Sequence, residues 1–87
     1  MHNQWDVELS FEEDGVHTGC QARLTGARAP GLSAHGEALK SAEDRPLARI
    51  GEELAASRAL EELSRKLQAQ ATGEIEDEGR RPGYLVY

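Results

Sequence analysis

The chain reads as an α+β domain, three antiparallel strands followed by one long helix laid on a single face of the sheet. Two observations predict this. "WDVELSF" and "VHTGCQARL" alternate apolar and polar residues, the period of half-buried strands, on either side of an Asp14-Gly15 turn signal. Near residue 46 the apolar spacing changes to a helical period, and no further proline interrupts it before Pro82.

The first strand, about 5–11, carries Trp5, Val7, Leu9 and Phe11 on one side and Asp6, Glu8 and Ser10 on the other. After the turn "EEDG", a second strand over 16–24 points Val16, Thr18, Cys20, Ala22 and Leu24 inward. With Phe11 opposite Val16, Leu9 faces Thr18, Val7 faces Cys20 and Trp5 faces Ala22. Every such pair falls on the apolar face, as a register locked by one buried side requires. The loop "TGARAPG" leads to a weaker third strand, "LSAHGEALK", with Leu32, Ala34, Gly36 and Ala38 on one face.

Asp44 before Pro46 forms a helix start, and Gly73 after "QAQAT" forms a stop, which predicts a helix over about 46–71. At about 100° per residue, Leu47, Ile50 and Leu54 cluster on one side and Ala56, Leu60, Leu63 and Leu67 roughly opposite. The small residues Gly51, Ala55 and Ala59 join the two groups diagonally. Rows at i, i+4 are packing ridges, and small residues on such a ridge admit a close backbone, so this row is expected on the sheet. Apolar groups so widely spread need a second cover, which a second copy or the C-terminal tail could supply.

Eighty-seven residues make one domain with a modest core. Residues 1–77 are assigned to it and 78–87 to a tail, read either as a mobile terminus or as an added strand, "YLVY", on an exposed edge. The formal charge of −6 opposes a generic phosphate-backbone footprint, and residues 1–45, 46–71 and 72–87 are each neutral or acidic. The start "MHNQWDVELS" has no leader pattern, and no window approaches the roughly 18 apolar residues of a membrane span. A cytoplasmic protein is expected.

The candidate chemistry is sparse. Cys20 lies on the inward face among apolar neighbours, where a thiol acts as a small apolar group. His2, His17 and His35 stand at no metal-ligand spacing, so neither metal nor cofactor is expected. His35 with Glu37, and His17 with Gln21, are placed on the solvent face of the sheet, where solvated surface is the ordinary reading. Glu52, Glu53, Glu61 and Glu62 with Arg49, Arg65 and Lys66 form a charge-laced helix surface. Arg58 departs from it, since it sits angularly among Leu47 and Leu54.

Several stretches carry a resemblance. Trp5-Asp6-Val7, the Asp14-Gly15 turn, Leu24-Thr25-Gly26, the Gly36 strand and above all "PLARIGEELAASRALEEL" followed by "GEIE" resemble a small actinobacterial family of unknown function, classed with the double-stranded-RNA-binding-domain-like (dsRBD-like) fold. The resemblance covers about residues 4–77 and implies β-β-β-α with the first dsRBD helix absent. It does not carry RNA binding with it. "AASRAL" matches part of the dsRBD helix, but that motif's two lysine positions fall on Ala48 and Arg49, so one cation remains. Four residues before Trp5 leave no room for a first helix, and the hairpin turn is acidic.

The sequence therefore predicts a non-enzymatic protein-contact module, a homo-oligomer with a dimer favoured. Its expected interface is Ile50, Leu54, Leu60, Leu63 and Leu67 with the tail residues Tyr84, Leu85, Val86 and Tyr87. The alternative is nucleic-acid binding through Arg23, Arg28, Arg45 and Arg49.

Overall fold

The computed structural model of the chain describes residues 2–39 and 48–78. Three strands, β1 (Trp5–Glu13), β2 (His17–Gly26) and β3 (Ser33–Leu39), form an antiparallel sheet in the order β1-β2-β3, and one helix, α1 (Ala48–Glu78), follows. The predicted α+β arrangement is the observed one.

The hairpin register differs from the expected one. Phe11 pairs with Cys20, Leu9 with Ala22, Val7 with Leu24 and Trp5 with Gly26. Alternation settles only which face a residue occupies, and both registers keep the apolar residues together. The turn makes the choice. The Asp14 N–H donates to the His17 carbonyl at 3.0 Å, and Asp14 Oδ1 accepts the His17 N–H at 3.1 Å. This leaves Gly15 and Val16 as a two-residue loop, with Gly15 at φ 97°, the left-handed geometry that a hairpin turn of this kind asks of its first central residue. β1 consequently runs on to Glu13, and Val16, expected inward, is exposed at the tip.

The third strand places its apolar face as predicted, with Ala34 and Ala38 buried. Across it lies the helix. The core is Cys20, Ala22, Leu24, Ala34, Ala38, Ala55, Ala59 and Leu63, mostly small side chains, because helix and sheet approach closely. Gly36 sets that distance, since a Cβ there would overlap the backbone of Ala55, Arg58 and Ala59. A Cβ on Gly51 would lie 2.8 Å from Thr18 Oγ1. The row Gly51, Ala55, Ala59 is thus the seam with the sheet.

Gly73 does not stop the helix, which continues to Glu78. Nothing lies within 4 Å of a Cβ at Gly73, so neither strain nor packing breaks the chain there. The Gln70 side chain donates to Glu74 at 3.0 Å across that turn. Glycine costs about 1 kcal/mol in a helix interior, a penalty the flanking turns absorb. The expected cap at Asp44 and Pro46, and Leu47, lie outside the described residues.

Candidate functional site

A three-stranded sheet is about 14 Å wide and a helix about 10 Å across, so one helix cannot cover three strands. α1 packs on β3 and β2. What remains open is the inner face of β1. Trp5 is 43%, Val7 44% and Phe11 38% exposed, large values for side chains on the core-facing side of a sheet, while Leu9 is partly buried against the core. Trp5 is held in place, its indole N–H donating to the Ala27 carbonyl at 3.2 Å and its ring lying against Gly26.

The two edges of the sheet are treated differently. Leu24 N–H donates to the Leu32 carbonyl, so the alternation of an antiparallel ladder turns the backbone of Ser33, His35 and Glu37 outward. Two helix cations close that edge: Arg58 Nη1 donates to the Glu37 carbonyl at 2.6 Å, and Lys66 Nζ to the Ser33 carbonyl at 2.7 Å. At the other edge, the Asp14–His17 bond turns the N–H and C=O groups of Trp5, Val7, Leu9, Phe11 and Glu13 away from β2. No strand among the described residues pairs with them. The cue to the guarded edge was Arg58, a cation at an apolar angle of the helix, but its partner 21 residues away could not be read from spacing.

The sequence-predicted interface residues divide. Leu63 is buried in the core and Leu67 packs against it. Leu60 is exposed on the flank of α1 away from Arg58 and Lys66, hence on the β1 side. Ile50 and Leu54 are exposed on the back of the helix. Tyr84, Leu85, Val86 and Tyr87 lie outside the described residues.

Of the arginines of the nucleic-acid alternative, the three described ones stand on different elements. Arg23 sits on the outer sheet face and pairs with Glu8 at 3.4 Å. Arg28 occupies the β2–β3 loop at φ 65°, Arg49 is exposed in the first turn of α1, and Arg45 lies outside the described residues.

On the outer face, Glu37 bridges two histidines, with Oε2 3.0 Å from His17 Nε2 and Oε1 3.0 Å from His35 Nε2. Asp14 Oδ2 stands 4.0 Å from His17 Nδ1. The hydrogen bond to Glu37, with its charge, raises the His17 pKa above the ordinary imidazole value, and the bonds from His17 and His35 lower that of Glu37. His17, expected beside Gln21, joins the predicted His35–Glu37 pair because the β2–β3 register sets His17 opposite Leu39 and Gly19 opposite Glu37, which leaves His17 and Glu37 diagonal neighbours on the outer face. The cluster lies open on the surface, and no group of three or more His, Cys, Asp or Glu among the described residues is placed to hold a metal ion. A recess of about 150 Å³ beside it, lined by Glu8, Ser10, Gln21 and Arg23, falls below the size of ordinary ligand pockets. Cys20 is fully buried, and desolvation raises its pKa.

No described helix is long and apolar enough to cross a membrane. Fold and surface together define a small α+β domain, a three-stranded antiparallel sheet half-covered by a long helix. It belongs to the Rv2632c-like family, whose model matches residues 3–83. Its relatives include the Uncharacterized protein Mb1767 of Mycobacterium bovis and the Uncharacterized protein MT1780 of Mycobacterium tuberculosis, each 34% identical over 83 residues, covering 95% of this chain and 87% of the relative. The crystal structure of Rv2632c superposes with a TM-score of 0.83 at 30% identity, covering 94% of this chain and 96% of that one. These mycobacterial relatives agree with the expected actinobacterial family of unknown function.

Proposed function

We propose that the chain is a non-enzymatic protein-contact module whose working surface is the open side of the sheet at β1, with the adjoining flank of α1 at Leu60. The observation that carries this is the row Trp5, Val7 and Phe11, half-exposed beside a strand edge that pairs with no strand among the described residues. An apolar strip next to five outward-turned backbone pairs is costly to leave in water and templates association. The exposed side chains Trp5, Val7, Phe11 and Leu60, at on the order of 200 Å² each and about two-fifths exposed, offer roughly 330 Å² per molecule. Matched by a partner, that stays below the roughly 1,000 Å² of a specific interface, so the backbone of the strand edge has to contribute the rest.

The β-β-β-α order supports a dsRBD-like assignment, an analogy of fold that brings no RNA surface with it. Backbone hydrogen exchange on the dilute chain tests the proposal. Amides of Val7, Leu9 and Phe11 should exchange fast while those of Glu8 and Ser10 are protected. Equal protection of both sets in a monomer would mean that the edge is covered within the chain, and the contact reading would fail.

A further inference from the structure

We propose that the open edge of β1 takes an added strand from another protein, an extended segment in which apolar and basic residues alternate. The inference rests on β1 being the contact surface and names what fits it.

The asymmetry of the edges is the starting point. On β3 the outward carbonyls of Ser33 and Glu37 are occupied by Lys66 and Arg58, so a strand approaching there meets two cations already bonded to its acceptors. Guarding by lysine or arginine is a common way to prevent edge pairing. β1 has no such guard among the described residues, contains neither proline nor cation, and is nine residues long, enough to align a segment of about 30 Å. Backbone bonds to the outward groups of Trp5, Val7, Leu9, Phe11 and Glu13 supply the attachment.

The side chains then select the sequence. In a paired strand, residues on one face meet residues on the same face of the neighbour. On the inner face the added strand would meet Trp5, Val7, Leu9 and Phe11, which calls for apolar residues there. On the outer face it would meet Asp6, Glu8, Ser10 and Glu12. Glu8 is shared with Arg23, and Asp6 accepts only a weak 3.3 Å bond from the Gln4 amide. The outer positions of the incoming strand therefore call for lysine or arginine.

The same pattern speaks against a second copy at this edge. In an antiparallel pairing outer residues oppose only outer residues, so β1 against β1 sets acids opposite acids or opposite Ser10 in every register.

The test uses the full chain and nine-residue peptides alternating valine with lysine, valine with glutamate, or carrying the lysine peptide's composition in scrambled order. Binding is read by amide NMR shifts and titration. The lysine peptide should bind with shifts concentrated on β1, at least tenfold tighter than the glutamate or scrambled peptide, and about tenfold weaker when salt rises from roughly 50 to 500 mM. Val7→Pro removes an outward N–H without touching the β1–β2 ladder, and should abolish binding while the thermal melt still shows a folded chain. The double change Asp6→Lys with Glu12→Lys should reverse the preference toward the glutamate peptide.

Equal binding of all peptides, or binding unaffected by Val7→Pro, overturns the proposal. So does concentration-dependent dimerisation that Val7→Pro abolishes, which would make the second copy the occupant. Peptide binding only after removal of residues 79–87 would assign the edge to the chain's own tail, and overturns it as well. In each case, fast exchange at Val7, Leu9 and Phe11 leaves the broader contact reading standing, and protection in a monomer removes both.

Discussion

Gly36→Ala is the substitution to which this fold should be most sensitive. The added Cβ would stand 2.8 Å from the Arg58 carbonyl carbon and closer still to the Ala59 nitrogen and the Ala55 oxygen. All three are helix backbone, so no side-chain rotation relieves the overlap. The helix has to lift by about 1 Å, and a gap of that size forfeits a quarter to a half of the dispersion attraction along the seam. Ala55, Ala59 and Leu63 all sit on it.

Overpacking costs typically 1–3 kcal/mol, and a clash with backbone alone belongs at the top of that range. A loss of about 3 kcal/mol is a large share of the roughly 4–13 kcal/mol expected for a chain this size. It should lower the melting temperature by about 12–24 °C in a calorimetric or circular-dichroism melt. Gly51→Ala, whose new Cβ meets only the Thr18 hydroxyl, should cost clearly less. If Gly36→Ala melts within about 4 °C of the parent chain, the helix does not rest on Gly36 and the account of the seam is wrong.

Gly73→Ala should stabilise the chain by up to about 1 kcal/mol, because the site is open and the helix continues through it; a destabilised variant would show that Gly73 ends the helix after all. His17 is raised in the folded state, so its contribution to stability is present below about pH 6.5 and lost as pH rises through its folded pKa, whereas that of the lowered Glu37 is present above about pH 4.5 and lost as pH falls. An NMR titration should place His17 above the ordinary value in the parent and return it there in Glu37→Gln. Replacing Arg58 and Lys66 together by alanine should cost about 1 kcal/mol or less per bond and open the second edge, seen as light scattering that increases with concentration; unchanged scattering would show that these cations do not protect β3.

Much of the fold was legible in the sequence because it depends on local periodicity. Alternation placed Cys20, Ala22, Ala34 and Ala38 on the buried face, and the i, i+4 spacing of Gly51, Ala55 and Ala59 marked the helix row that meets the sheet. The hairpin register was not legible in that way. A period of two is satisfied by any shift of two residues, and the choice fell to one side-chain acceptor, Asp14 Oδ1, bonding the His17 amide. Gly73 was misread for a related reason: a glycine permits a helix end without requiring one.

The candidate site was less visible. Surplus apolar surface on the helix could be counted from the sequence, and Ile50, Leu54 and Leu60 are indeed exposed, but Leu63 proved to be buried in the core and Leu67 packed against it. That Trp5, Val7 and Phe11 would be left half-open depends on which two of three strands the helix lies across. Position along the chain carries no such information. By itself, then, the sequence determined which residues share a face, because backbone geometry imposes the strand and helix periods locally. Only the tertiary structure decided which face is covered and which edge is closed, because those depend on contacts between residues 21 and 33 positions apart, Glu37 with Arg58 and Ser33 with Lys66, that no local period encodes.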